Sequence, residues 1–164
     1  MNANLPQLDL PRDYVVGNDI TEAILNFYKQ TCRLKAGIFV LCVEGNLRAS
    51  INLTEYTLKP NDFITLMPGS IIQFCEQKES FRLSFIGFSS EFMDCVNMIK
   101  STMSALPTIY ENPVIALNED RADFINDYFH LLERVQVKEQ GDGETYPAYH
   151  DPWDQRFVSR KIMA

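Results

Sequence analysis

Six short apolar or alternating segments follow one another between Gly37 and Phe88, and polar or glycine-containing turn signals separate them. They are residues 38–43, 47–53, 56–58, 63–67, 71–75 and 81–88. The first is continuously apolar, as in a strand buried on both faces, and the second alternates apolar with polar residues. Closely spaced short strands of this kind predict a β-sandwich or a barrel. No regular alternation of strands with helices is present, which argues against a doubly wound parallel sheet.

Beyond Phe88 the apolar residues recur at the spacing of a helix. Ser90 is the expected N-cap of a first helix, and Asn118 is the expected N-cap of a second. The apolar stripe of the second helix is Ala122, Ile125, Phe129, Leu132 and Val135. Asp154 suits the N-cap of a third helix, which has only begun where the sequence stops.

Length, charge and cysteine content narrow the class of protein. The 164 residues, 46% of them hydrophobic, suffice for one domain with its own core. A net charge of −7 repels phosphate backbones, so this segment alone is expected to bind DNA poorly. The polar N-terminus does not resemble a secretory signal, and no apolar stretch is long enough to span a bilayer. With four cysteines and no CxxC pair, we expect a cytoplasmic protein with reduced cysteines and no membrane association.

The most informative segment is residues 43–74, VEGNLRASINLTEYTLKPNDFITLMPGSIIQF. A strand ends at Gly45, an alternating strand and the short Tyr56-Thr57-Leu58 strand follow, and the turn carries an Asn-Asp pair at 61–62. An apolar strand at 63–67 then meets a Pro-Gly corner at 68–69. This pattern resembles the cupin domain of AraC-type transcription regulators, and the resemblance extends over roughly residues 35–135.

The resemblance implies a mainly β fold with C-terminal helices, namely a cupin-type jelly-roll barrel (a double-stranded β-helix) plus two or three α-helices. Residues 1–18 are expected to form an extended, loosely held N-terminal arm, because prolines and a glycine punctuate them. Residues 19–110 would form the barrel and the first helix, and residues 111–164 a helical extension. Because the third helix is incomplete, we expect a helix-turn-helix DNA-binding domain to follow it.

A jelly-roll barrel encloses a concave apolar space in which a small-molecule effector can bind. The residues expected to point into this candidate ligand pocket are Leu47, Ala49, Ile51, Phe63, Phe74, Leu83 and Phe85. Simple filling of the core is the commoner role of such side chains, because small barrels are usually packed with them.

Histidines are too few, and wrongly placed, for the metal centre of cupin enzymes. Those enzymes commonly use an HxH pair and a later histidine after the Pro-Gly corner, whereas Ile72 or Gln73 stands at the later position here. The two histidines, His130 and His150, both lie outside the predicted barrel. We therefore expect no metal, no cofactor, no catalytic residue and no enzymatic activity.

The resemblance also implies a homodimer formed through the helices, with Ile125, Phe129 and Leu132 as candidate interface residues. Packing of the same residues within the chain is equally compatible with the pattern. DNA would be contacted only through the missing C-terminal domain. Two other functions remain open: a stand-alone metal-free cupin that binds or isomerises a small sugar-like molecule, and a dimerisation module without a ligand.

Overall fold

The computed structural model describes residues 5–21, 31–75, 80–96, 108–109 and 111–141. The second half of the predicted first helix, the predicted third helix and His150 lie outside these residues. Within them, ten strands form two five-stranded sheets. The strands are β1 (Gln7–Leu8), β2 (Tyr14–Ile20), β3 (Cys32–Leu34), β4 (Gly37–Gly45), β5 (Leu47–Ile51), β6 (Thr54–Leu58), β7 (Asp62–Leu66), β8 (Ile71–Phe74), β9 (Phe81–Phe88) and β10 (Val114–Ala116).

The strand order is that of a jelly roll. Sheet 1 runs β1-β3-β8-β5-β6, and sheet 2 runs β10-β7-β4-β9-β2. Strands β2 to β9 pair antiparallel with one another and are divided evenly between the two sheets. Eight strands in this order wrap as two Greek keys. The predicted fold, mainly β with a jelly-roll barrel followed by helices, is therefore confirmed.

The main core lies between the two sheets and follows from alternation along the strands. In β5 the side chains of Leu47, Ala49 and Ile51 are buried, while Arg48 is exposed on the outer face. The tight corner after β4 uses Gly45 at φ +76°, and a Cβ there would collide with the carbonyl oxygen of Ser80.

The N-terminal residues are part of both sheets, so the predicted loosely held arm is wrong for residues 5–18. β1 pairs in parallel with β3, and Leu8 and Leu10 are almost completely buried. β2 is the edge strand of sheet 2 and contains residue 18, the predicted boundary of the arm. Burial of these two leucines stabilises the segment, which the prolines and glycine alone did not indicate.

The helices whose bounds the structure gives are α1 (Ser90–Val96) and α2 (Glu119–Gly141), and residues 108, 109 and 111 are also helical. Helix α1 is capped by Ser89 rather than by the predicted Ser90, because the Phe92 amide donates to Ser89 Oγ at 3.2 Å. The cap of α2 is Asn118 as predicted, and its Oδ1 accepts from the Arg121 amide at 2.8 Å. Neither helix is long and apolar enough to cross a membrane.

Candidate functional site

The interior of the barrel is packed with side chains. Six of the seven residues expected to point inward belong to this core or pack against it: Leu47, Ala49, Ile51, Phe74, Leu83 and Phe85. The remaining cavity among them measures about 30 Å³. That volume is far below the roughly 300–1,000 Å³ that is usual for small-molecule sites.

Phe63 is the exception, and its expected position inside the barrel is wrong. Along β7 the side chains of Asp62, Ile64 and Leu66 are buried and Phe63 lies on the opposite face of sheet 2. Residues 63–67 are mostly apolar and give no clear alternation, and an error of one residue exchanges the two faces of a strand. The inward position at the start of β7 is taken by Asp62, whose carboxylate accepts from the Lys59 amide at 2.9 Å in the preceding turn.

The outer face of sheet 2 carries a row of four aromatic rings. Phe63 and Phe39 stack at 5.9 Å between ring centroids, and Phe39 meets Phe88 edge-on at 6.2 Å. Phe88 then stacks on Phe92 of α1 at 5.2 Å. Offset-stacked and edge-to-face pairs at these distances are favourable, so adjacent strands and α1 hold the rings in one surface.

Helix α2 lies across this face of sheet 2. Its residues Ile125, Phe129 and Leu132 pack against the sheet, and Phe129 is only 4% exposed. Within the chain these three side chains take the alternative of intramolecular packing, and their role in a dimer interface stays a prediction. The burial of an apolar helix stripe on an apolar sheet face is the simplest reason.

Polar contacts fix the position of α2 along one of its flanks. Gln136 is buried and hydrogen-bonds both backbone groups of Val16 in the edge strand β2. Asn18 Nδ2 donates to the Phe129 carbonyl at 3.2 Å and to Glu133 Oε2 at 2.8 Å. These bonds satisfy an otherwise open sheet edge and tie the helix to it.

A groove of about 510 Å³ lies between α2 and the aromatic row. We call it the helix groove. Its lining residues are Tyr14, Phe39, Phe63, Ile86, Phe88, Phe124, Ile125, Tyr128, Phe129 and Leu132. All ten are apolar or aromatic, and the phenol groups of Tyr14 and Tyr128 are the only polar side-chain groups among them. Such a lining suits an uncharged apolar molecule and offers nothing to neutralise a charge.

A second apolar stripe on α2 faces outward, and sequence reasoning missed it. We call it the outer stripe: Phe124, Tyr128, Leu131 and Val135, which are between 41% and 71% exposed. Val135 was expected on the inward stripe, but the buried position at that end of the helix belongs to Gln136. The four residues of the outer stripe are four, three and four positions apart, which is the spacing of residues along the seam of two paired helices. This spacing was visible in the sequence.

The titratable groups of the described residues include His130 and two buried cysteines. His130 Nδ1 lies 2.8 Å from the Asn126 carbonyl, and its Nε2 is 3.9 Å from Asp19. Among the described residues no three His, Cys, Asp or Glu side chains are grouped so that they could hold a metal ion. Burial raises the pKa of the Cys32 thiol to about 11, and burial together with the charge of Asp62 raises the pKa of Cys42 to about 12.

Comparison with known proteins gives structural likenesses at low sequence identity. No family model and no curated protein matches the sequence. The cupin domain of Schizosaccharomyces pombe Cnp3 is similar with a TM-score of 0.40 and 12% identity, over 54% of this chain and 65% of that chain. The Clostridium difficile EutQ protein is similar with a TM-score of 0.33 and 16% identity, over 47% of this chain and 54% of that chain.

A third similar structure is ToxT from Vibrio cholerae, bound to (E)-4-(8-methylnaphthalen-1-yl)but-3-enoic acid. Its TM-score is 0.46 at 10% identity, over 92% of this chain and 58% of that chain. The chain thus spans less than two thirds of the length of each of these three structures. At such scores the likeness adds no argument about function, and the fold rests on the strand order given above.

Proposed function

We propose that this chain is the ligand-sensing and dimer-forming domain of an AraC-type transcription regulator, and that its effector is an uncharged apolar molecule bound in the helix groove. The observation that carries the proposal is the groove itself. Its volume of about 510 Å³ lies within the range of about 300–1,000 Å³ that is usual for small-molecule sites. The regulator class rests on the resemblance of residues 43–74 to the cupin domain of that family.

The groove replaces the barrel interior as the proposed ligand site. A cavity of about 30 Å³ inside the barrel is too small for a sugar, which counts against the sugar-binding alternative. The groove is bordered by strands of sheet 2 and by α2, so a ligand there contacts two elements that are far apart in the chain. A ligand of this kind can shift the balance between two arrangements of helix and sheet if it binds one of them better.

The second part of the proposal is that the outer stripe of α2 forms the dimer. Its spacing of four, three and four matches a seam in which one helix packs against another. In an antiparallel pair of two copies, Phe124 would lie opposite the smaller Val135, and Tyr128 opposite Leu131. Asp127 and Arg134 are both exposed beside the stripe, and the same pairing places them near each other with opposite charges.

In the full regulator, DNA binding would come from a helix-turn-helix domain outside this sequence. The net charge of −7 suits a part that does not itself approach phosphate backbones. We propose that the domain acts in the cytoplasm by binding rather than by catalysis.

Ligand binding can be tested with N-phenyl-1-naphthylamine, an uncharged apolar probe whose fluorescence rises in apolar surroundings. A molecule that binds only the folded state raises its apparent stability by about 2.7 kcal/mol at one hundred times its Kd. We therefore expect saturating probe to raise the Tm by several degrees and to fluoresce with one site per chain. An unchanged Tm together with unchanged fluorescence would refute a preformed apolar site.

A further inference from the structure

Two aromatic side chains belong to both surfaces of α2 defined above. Phe124 and Tyr128 line the helix groove and are also members of the outer stripe. Phe124 is 71% exposed and Tyr128 is 51% exposed, although their rings border an apolar cavity. The rim of the groove is therefore made of side chains that a second copy would cover.

The position of the groove relative to the stripe follows from helix geometry. If Phe124 and Leu131 take d positions of a heptad, then Tyr128 and Val135 take a positions, and Ile125 and Leu132 fall at the flanking e positions. Ile125 and Leu132 line the groove. A helix packed on the outer stripe would thus run directly beside the open side of the groove.

We propose that the ligand site is completed by a second copy of this chain, so that ligand binding and dimer formation strengthen each other. The proposal rests on the function proposed above. In the isolated chain, more than half of the surface of Phe124 and of Tyr128 is exposed to water. In the dimer, α2 of the second copy covers part of this surface, and the ligand covers the groove side.

The energetic basis is burial of apolar surface and restriction of side chains. A ligand in the groove fixes the two rings, so that less conformational entropy remains to be lost when the second copy binds. The dimer in turn removes water from the rim and gives the ligand an additional apolar wall. Because such coupling is reciprocal, the factor by which ligand tightens the dimer equals the factor by which dimer formation tightens ligand binding.

The test compares two variants that affect the two surfaces separately. Leu131→Glu places a charge in the centre of the outer stripe at a side chain that is 50% exposed and does not line the groove. Phe63→Ala removes part of the groove lining at a residue of sheet 2 that does not belong to the stripe. Leu53→Glu is the matched control, since it adds the same charge at an exposed leucine in the β5–β6 turn.

Sedimentation equilibrium of the whole chain, with and without N-phenyl-1-naphthylamine, measures the dissociation constant of the dimer. Fluorescence titration measures the affinity for the probe. We expect the probe to tighten the wild-type dimer by about fivefold or more, which is the lower end of typical coupling. The Leu131→Glu chain should be monomeric and bind the probe correspondingly more weakly. The Phe63→Ala chain should still dimerise but lose the effect of the probe, and Leu53→Glu should behave as the wild type.

Equal probe affinity in the monomeric Leu131→Glu chain and the wild-type dimer would overturn the coupling while leaving the groove as a ligand site. A Leu131→Glu chain that still dimerises would also overturn it, because the interface would then lie elsewhere. Absence of probe binding in the wild type would overturn the proposed function as well.

Discussion

Gln136 of α2 binds both backbone groups of Val16 in β2. The Val16 amide donates to Gln136 Oε1 at 2.9 Å, and Gln136 Nε2 donates to the Val16 carbonyl at 3.3 Å. The two residues are 120 positions apart, and both are buried. The amide side chain of Gln136 thus makes the hydrogen bonds that a neighbouring strand would make at the edge of sheet 2. These bonds also fix α2, which forms one wall of the helix groove.

Replacing Gln136 with leucine should destabilise the protein because two backbone groups lose their hydrogen bonds, and not because packing is lost. The Val16 N–H and C=O would remain buried without partners, and each unsatisfied group costs about 1–3 kcal/mol. We expect the free energy of unfolding in urea to fall by about 2–3 kcal/mol. Lys138→Leu, at an exposed position on the same helix, is the control and should change it by less than about 0.5 kcal/mol. Equal effects of the two substitutions would show that the bonds to Val16 contribute nothing.

The turn between β5 and β6 contains two residues with positive φ, Asn52 at 51° and Leu53 at 70°. Two-residue hairpins of this kind favour Asn-Gly, because a residue with a Cβ in the left-handed region costs about 1–2 kcal/mol. Leu53→Gly should therefore raise the free energy of unfolding by about 1 kcal/mol, measured by urea unfolding. Leu53→Ala keeps the Cβ and removes the exposed side chain, so it should give no such gain. If Leu53→Ala stabilises as much as Leu53→Gly, relief of backbone strain is not the cause of the stabilisation.

The cysteines should differ in their reaction with thiol reagents. Burial raises the pKa of Cys32 to about 11 and that of Cys42 to about 12, whereas Cys95 is exposed. Only the thiolate reacts, so native labelling with iodoacetamide at pH 8 should modify Cys95 well before Cys32 or Cys42. Mass spectrometry of the peptides over time measures the three rates. Similar rates in the native protein and in guanidinium would contradict the burial of these two thiols.

The same thiols make stability depend on pH in the alkaline range. Their folded pKa values lie above the ordinary value of 9.0, so the folded state favours the protonated form. The contribution of the two thiols to the free energy of unfolding is complete below pH 9. It is lost as the pH rises toward the folded pKa values of about 11 and 12. Cys42→Ala should therefore make the decrease in unfolding free energy between pH 8 and pH 10.5 less steep. An unchanged slope would exclude Cys42 as a source of the pH dependence.

Local patterns in the sequence were sufficient for a sandwich or barrel, because the strands are short, apolar and separated by turns such as Gly45 and Asn61-Asp62. The jelly roll itself was implied by the resemblance of residues 43–74 to the cupin domain. Local patterns were not sufficient to predict which face of a strand or helix is buried. Residues 63–67 lack a clear alternation, so Phe63 was assigned to the wrong side of its sheet. Helix α2 has two apolar stripes, and only tertiary contacts such as Gln136 with Val16 decide which one is buried.

The helix groove could not be located from the sequence for a related reason. Its walls come from residues as distant as Tyr14 and Leu132, and no local period connects them. The extended form of residues 5–18 was foreseeable from their prolines, but the burial of Leu8 and Leu10 depends on sheets formed by later strands.

On the proposed function, an apolar ligand binds outside the barrel and not within it. The most direct measurement is a fluorescence titration with N-phenyl-1-naphthylamine on two alanine variants of half-buried phenylalanines. Phe63 lines the helix groove, and Phe74 lines the small cavity of the barrel. We expect Phe63→Ala to weaken probe binding by about tenfold or more, because roughly 1.4 kcal/mol or more of apolar contact is lost, and Phe74→Ala to leave probe binding unchanged. Weaker probe binding only in Phe74→Ala would place the ligand in the barrel and refute the helix groove as the ligand site.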